Sequence, residues 1–139
     1  MSKRRPFVAI LALMTLVTVA CGGGAADTSD AAGLRLVSAS EGAEIQASPP
    51  DDLVILDVRT PEEFAAGHLE GATMIDFYGA DFADQIADLD PDVPYLLYCN
   101  SGNRSGQTIQ LMEELGFTDV ADVNGGIQAW NAANLPTVN

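Results

Sequence analysis

Short apolar runs alternate along the chain with longer segments in which apolar residues recur every three or four positions. The short runs are typical of strands buried in a parallel sheet, and the longer segments are typical of helices that pack one face against it. This alternation predicts an α/β fold, with a five-stranded, mainly parallel sheet and helices on both faces. The predicted strands are 34–37, 53–57, 72–75, 95–98 and 120–123, and the predicted helices are 38–47, 60–67, 81–89, 107–116 and a short one from 127.

Two of these helices carry capping signals at their N-termini. In a capping box, a Ser or Thr and a Glu three residues later each satisfy a backbone N–H group that the helix leaves free. Ser38 and Glu41 have this spacing, and so do Thr60 and Glu63, with Pro61 at the first helical position. The signals predict that both helices begin shortly after a strand.

The first twenty residues are predicted to be an export signal rather than part of the fold. A positively charged segment, 3–5, is followed by thirteen mainly apolar residues, 7–19. That length suits a signal peptide, whereas a membrane-spanning helix needs about 20 apolar residues. Residues 17–21 and the three glycines after them resemble a bacterial lipobox, which predicts cleavage before Cys21 and its lipidation as the new N-terminus. The paired arginines leave a twin-arginine export route open.

Cleavage predicts a mature chain of 119 residues, a length that suits a single domain. Residues 21–33 are small, polar and acidic, and we expect them to form the lipidated start and a flexible tether. Residues 34–139 are expected to form the folded domain, as a monomer. The expected location is outside the cytoplasm, with the domain held by its lipid in the periplasm or at the outer face of the cytoplasmic membrane.

The charge of the chain restricts its partners. The full sequence has six basic and twenty acidic residues, for a net charge of −14, and loss of residues 1–20 removes three of the basic ones to leave −17. Such a surface disfavours nucleic acid and anionic lipid, so the lipid anchor is the only membrane contact expected. Only Arg35, Arg59 and Arg104 then remain, which makes an arginine beside a candidate site significant.

Cys99 lies between a predicted strand and the helix that follows it. At such a position, free backbone N–H groups and the helix dipole favour a thiolate. The four residues between Cys99 and Arg104 are small or polar, so the backbone can curl around an anion. If Cys21 is lipidated, Cys99 has no disulfide partner. The pattern predicts a nucleophilic sulfur at the carboxyl end of a strand, where sites in parallel sheets lie.

Several segments in order resemble the rhodanese family of sulfurtransferases, and together they extend over most of residues 34–136. They comprise a segment that begins at the end of the second strand (56–64), a Gly-His segment (67–72), the cysteine segment (98–105), a glycine pair (125–126), Trp130 and a Leu-Pro pair (135–136). Glu70 stands where many relatives have proline, which affects only a turn.

The resemblance implies transfer of a sulfane sulfur through a persulfide on Cys99. The donor would be thiosulfate, a small sulfur-containing anion, or a persulfide, and the acceptor would be cyanide or a thiol. Arg104 would supply positive charge beside the thiolate and the entering anion. Backbone N–H groups of the loop would hold the persulfide, and the Ser101 and Ser105 hydroxyls would either add donors or shape the loop. The expected loop residues are Asn100, Ser101, Gly102, Asn103 and Ser105.

Three further residues are expected near the site. Asp57 and Arg59 lie at the end of the second strand, where an ion pair that orders the loops is the default and a substrate contact by Arg59 is the alternative. His68 follows a helix stop and is expected to belong mainly to the scaffold. No clustered His or Cys residues predict a metal site, and no cofactor is implied.

Two other functions compete with enzymatic sulfur transfer. The cysteine segment is also similar to that of relatives of this fold that hydrolyse phosphate or reduce arsenate. In those relatives five residues separate the cysteine from the arginine, whereas here four residues separate them. The shorter loop favours one sulfur atom over a tetrahedral oxyanion. The other alternative is a sulfur carrier or redox-sensing module, in which Cys99 takes up sulfur or is oxidised and docks on a partner without turnover. The complete loop, with Arg104, favours the enzyme.

Overall fold

The computed structural model describes residues 33–139. The predicted signal peptide, Cys21 and residues 21–32 of the predicted tether lie outside the described residues. Strands and helices alternate through the described part of the chain, and none of these helices is both long enough and apolar enough to cross a membrane. The elements are β1 (Leu34–Val37), α1 (Ala39–Ala47), β2 (Val54–Asp57), α2 (Pro61–Ala65), β3 (Thr73–Met74), α3 (Phe82–Ala87), β4 (Tyr95–Tyr98), α4 (Asn103–Glu114), β5 (Val120–Val123) and α5 (Gly126–Ala132).

The five strands form one parallel sheet with the order β1-β5-β4-β2-β3. β4 therefore lies at the centre, between β5 and β2, and all four of its residues are buried. Parallel neighbours need crossover connections, which the helices provide. The predicted α/β class and the five-stranded sheet are confirmed, and every described pairing between these strands is parallel.

Two hydrophobic clusters cover the two faces of the sheet. Residues of α1 and α5 pack on one face, where Trp130 is almost fully buried. Residues of α3 and α4 pack on the other, where Ile86 and Met112 are fully buried. Because successive strand residues point to opposite faces, Tyr98 belongs to the first cluster and Cys99 to the second. The prediction of helices on both faces is confirmed, and Cys99 lies on the face that α4 covers.

Both predicted capping boxes are present. The backbone N–H of Glu41 donates to the Ser38 hydroxyl at 3.2 Å, and the N–H of Ser38 donates to the Glu41 carboxylate at 2.7 Å. The corresponding distances for Thr60 and Glu63 are 3.3 and 3.1 Å, with Pro61 in the first turn. Each N-cap of this kind stabilises its helix by about 1 kcal/mol.

The predicted start of the helix after Cys99 is wrong. α4 begins at Asn103 rather than Gln107, because Gly102 takes a φ of +96° and turns the chain directly into the first helical turn. The N–H of Gly106 already donates to the Gly102 carbonyl at 2.9 Å. As a result, only residues 100–102 form a loop, and the rest of the polar segment is helical. β3, α2 and α3 are also shorter than predicted, each by two or three residues.

Candidate active site

Cys99 immediately follows β4, at the carboxyl edge of the sheet, and the residue is only 1% exposed. Its thiol forms no disulfide among the described residues. The sulfur lies next to the start of α4, and the Gly102 N–H donates to it at 3.1 Å. The sulfur thus occupies the place of a side-chain cap, because the N-cap residue itself, a glycine, has no capping side chain.

The surroundings of the Cys99 sulfur favour its ionised form. Burial raises the pKa of the thiol, but hydrogen bonding outweighs that effect and the net pKa lies below its ordinary value. The donors are the Ser105 hydroxyl and the backbone N–H groups of Ser105, Gly102 and Ser101. A thiolate is the nucleophilic form of cysteine, so the site can attack an electrophilic sulfur.

Backbone N–H groups at the N-terminus of α5 hydrogen-bond to the cysteine loop. The N–H of Ile127 donates to the Cys99 carbonyl at 2.9 Å, and the N–H of Gln128 donates to the Asn100 carbonyl at 3.1 Å. Gly126 permits this approach, because a Cβ atom there would overlap the Cys99 carbonyl oxygen and lie 2.7 Å from that of Asn100. In the sequence, the glycine pair was recognisable only as part of the resemblance, and its contacts depend on the tertiary structure.

Arg104 forms an ion pair with Glu63 of α2. Its two terminal nitrogens each donate to a different Glu63 carboxylate oxygen, both at 2.7 Å. Hydrogen bonding to Arg104 is the main reason why the pKa of Glu63 falls to about 2. The guanidinium also lies 5.6 Å from the ring centre of Tyr78, which is 70% exposed. Arg104 is close enough to Cys99 for the thiolate to stabilise its positive charge, but Glu63 offsets part of that charge.

The capping pattern predicted Glu63 only as a helix cap, and its contact with Arg104 was not predicted from the sequence. One Glu63 oxygen accepts both from the Thr60 N–H, at 3.1 Å, and from Arg104. The available signal was the capping box itself, because it places a carboxylate near the end of β2, which neighbours β4 in the sheet. That adjacency required knowledge of the strand order.

Asp57 and Arg59 form a buried ion pair beside the β2 end. Their side chains are 0% and 4% exposed, and Arg59 nitrogens donate to both Asp57 oxygens at distances down to 2.7 Å. Arg59 also donates to the Gly67 carbonyl at 2.7 Å and lies over the Tyr98 ring. This arrangement favours the loop-ordering role over a substrate contact.

His68 contacts the scaffold rather than the cysteine loop. Its Nδ1 donates to the Phe64 carbonyl at 3.0 Å, and its ring stacks on that of Phe64 with a centroid distance of 3.7 Å. Its backbone pairs with Val138 near the end of the chain. The other predicted loop residues differ in how far they are buried. Asn100 is half-buried, Ser101 and Asn103 are exposed, and Ser105 is fully buried.

Comparison with known proteins agrees with this architecture. The rhodanese-like domain family matches residues 38–133, and the chain belongs to that family. Thiosulfate sulfurtransferase GlpE of Pseudomonas putida is 40% identical over 79 residues, which cover 57% of this chain and 70% of that protein. The probable adenylyltransferase/sulfurtransferase MoeZ of Mycobacterium tuberculosis is 35% identical over 78 residues, covering 56% of this chain but 20% of MoeZ.

A solved structure shows the same fold. The rhodanese-related protein of Thermoplasma volcanium superposes with a TM-score of 0.65 and 29% sequence identity, over 75% of this chain and 97% of that one. These relatives support an activity of the sulfurtransferase type for the domain.

Proposed function

We propose that this protein is a sulfurtransferase that moves a sulfane sulfur from thiosulfate or a persulfide to a thiophilic acceptor, with Cys99 as the carrier of the sulfur. The observation that carries the proposal is the thiol itself, which is buried, forms no disulfide among the described residues and has four donor groups near it that lower its pKa. A cysteine that served only the core would lack this set of donors.

In the first half-reaction, the Cys99 thiolate attacks the outer sulfur of thiosulfate. A sulfur–sulfur bond forms to Cys99, the bond between the two thiosulfate sulfurs breaks, and sulfite leaves with that electron pair. The product on the enzyme is a persulfide anion, and the charge is conserved. The N–H groups of Ser101, Gly102 and Ser105 already converge on the thiolate, and they support the persulfide anion in the same way.

In the second half-reaction, cyanide or a thiolate attacks the terminal sulfur of the persulfide. The bond to the Cys99 sulfur breaks, the thiolate is regenerated, and thiocyanate or a new persulfide leaves. No proton has to move when the acceptor enters as an anion. The same loop therefore serves both steps, because each begins or ends with an anion on Cys99.

The acidic charge of the protein works against an anionic donor, so local positive charge matters. Arg104 is the arginine next to the loop, and its interaction with Glu63 leaves it partly neutralised. An entering thiosulfate competes with the Glu63 carboxylate for the guanidinium. Long-range repulsion is screened over about 8 Å at physiological salt, so this short-range contact decides binding.

Turnover with thiosulfate and cyanide tests the proposal, with thiocyanate as the measured product. We expect turnover by the wild type, its loss in Cys99→Ser and its retention in Cys21→Ser, which is the matched control because it removes the other thiol. A Cys99 adduct with the mass of one sulfur atom and no turnover would instead favour the carrier alternative. Absence of both turnover and adduct with thiosulfate and with a persulfide donor would contradict the proposal.

We also propose that the protein is exported and held at the membrane by a lipid on Cys21. The lipobox-like segment and the charged, apolar segment before it support this proposal. Expression with radiolabelled palmitate should label the wild type, and the same Cys21→Ser variant should be unlabelled and released from membranes. An unlabelled wild type would contradict the anchor without affecting the chemistry.

A further inference from the structure

An unpaired carboxylate lies inside the domain beneath the cysteine loop. Asp122 is in the middle of β5 and is 1% exposed. Neither of its carboxylate oxygens has a hydrogen-bond partner within normal geometry among the described residues. A buried acid without partners is unfavourable for folding. Its presence in an otherwise apolar strand therefore requires an explanation from its neighbours.

Asp122 shares a face of the sheet with Cys99. It is paired in register with Leu97 of β4, and Cys99 is two residues beyond Leu97 on the same side. α4 covers this face, with its residue Ser105 fully buried. The Ser105 hydroxyl is close enough to both groups to lower the pKa of Cys99 and that of Asp122, although neither contact has the geometry of a regular hydrogen bond. Its one regular hydrogen bond, to the Gly102 carbonyl, is long at 3.4 Å.

Within residues 33–139, no other charged group accounts for the state of Asp122. Burial raises its pKa to about 6, and the Ser105 hydroxyl is the group that opposes the rise. The arginines of adjoining elements have acidic partners: Arg35 binds Asp119, and Arg104 binds Glu63. The hydroxyl of Tyr95 donates to a backbone carbonyl. The remaining titratable residues of β1, β4 and α4 are Tyr98, on the opposite face of the sheet, and Glu113 and Glu114, which are exposed at the far end of α4.

We infer that Asp122 is a positioning residue for the Cys99 nucleophile and acts through the Ser105 hydroxyl. As a neutral acid, Asp122 donates its proton to the Ser105 oxygen, and Ser105 in turn donates its own proton to the Cys99 thiolate. Each proton stays on its own oxygen, and no group is oxidised or reduced. The inference deepens the proposed sulfurtransferase function, on which it rests for its purpose, but thiol reactivity can test it independently.

Ionisation of Asp122 reverses this chain of hydrogen bonds. A carboxylate only accepts, so Ser105 turns its hydroxyl toward Asp122 and withdraws it from the sulfur. The negative charge also disfavours a second negative charge on Cys99. The two groups therefore titrate as a coupled pair, and the reactivity of Cys99 should follow two apparent ionisations.

The pH dependence of Cys99 alkylation by iodoacetamide tests this coupling in the full chain. The wild type should show two ionisations between pH 5 and 9, whereas Asp122→Asn should show one, because an amide does not ionise in this range. Asp122→Asn should also react faster at neutral pH, by about tenfold if the coupling is one pKa unit. The matched control, Asp119→Asn, removes a nearby acid that pairs with Arg35 and should keep the wild-type profile.

The same measurement in a Ser105→Ala background distinguishes an effect that passes through the Ser105 hydroxyl from direct charge repulsion between Asp122 and Cys99. If Ser105 mediates the effect, Asp122→Asn should change the alkylation profile little in that background. An unchanged profile in Asp122→Asn alone, or an equal change with and without Ser105, would overturn the inference.

The wild type provides a second measurement that does not depend on any variant folding. The ¹³C chemical shift of the Asp122 carboxyl should titrate, with a midpoint that falls when methylthiolation of Cys99 removes the thiolate charge. A midpoint unaffected by that modification would contradict the coupling. Failure of thiocyanate production alone would count against the proposed function and leave this inference standing.

Discussion

Two arginine–acid pairs lie at the same edge of the sheet, but they differ in burial. Arg59 and Asp57, at the end of β2, are 4% and 0% exposed, whereas Arg104 and Glu63, beside the loop that follows β4, are 14% and 31% exposed. A buried pair cannot be separated without leaving an uncompensated charge in the interior. A partly exposed pair can exchange its partner for an incoming anion. We therefore expect the first pair to maintain the shape of the site and the second to take part in the proposed chemistry.

Removal of the buried arginine should have the largest effect on stability. Arg59→Ala leaves Asp57 buried and unpaired, and we expect the free energy of unfolding to fall by about 3–5 kcal/mol. Arg35→Ala is the matched control, because its pair with Asp119 is about 30% exposed and such pairs contribute at most about 1 kcal/mol. Urea denaturation of both variants measures the difference. Equal losses would show that burial does not distinguish the two pairs.

Removal of Arg104, from the partly exposed pair, should instead reduce activity. Arg104→Ala leaves the Glu63 carboxylate uncompensated near the site. We expect kcat/KM for thiosulfate to fall by about 100- to 1,000-fold, which corresponds to a barrier higher by about 2.7–4 kcal/mol, as for loss of an oxyanion-hole donor. The pKa of Cys99 should rise at the same time, which the alkylation profile measures. Glu63→Gln combined with Arg104→Ala should restore part of the loss. No restoration would mean that the exposed carboxylate is not the cause.

The attachment of the β4 loop to α5 should be sensitive to a single methyl group. Gly126→Ala places a Cβ against the Cys99 and Asn100 carbonyls at a φ of +57°, and we expect a loss of about 1–3 kcal/mol in stability together with lower activity. Gly106→Ala is the control, because its Cβ meets nothing within 4 Å and alanine is favoured in a helix. Similar melting temperatures for the two variants would contradict this account.

Acid should weaken the pair of Glu63 and Arg104, and this is the smallest of the expected effects. The pKa of Glu63 is lowered to about 2 in the folded protein, so its contribution is present above its unfolded value of 4.5 and is lost as the pH falls toward 2. Because the pair is partly exposed, we expect no more than about 1 kcal/mol. Stability measured against pH for the wild type and Glu63→Gln should converge near pH 2. Curves that stay parallel between pH 4.5 and pH 2 would contradict a stabilising contribution from ionised Glu63.

The local elements were largely predictable because they depend on neighbours in the sequence. The apolar runs at 34–37, 95–98 and 120–123 became strands with the predicted limits, and both capping boxes formed. The start of α4 was missed because its first turn is composed of polar residues that resemble a loop. Only the positive φ of Gly102 and the bonds from α5 to the loop make that turn helical.

The sequence by itself determined the periodicities, the caps and the presence of a cysteine between a strand and a helix, since these involve residues a few positions apart. The tertiary structure alone decided the partners of the charged groups. Glu63 and Arg104 are 41 residues apart, and they meet because β2 and β4 are adjacent in the sheet. Asp122 reaches the underside of the cysteine loop because β5 lies on the other side of β4. Strand order is set by packing of the whole core, which no local pattern records.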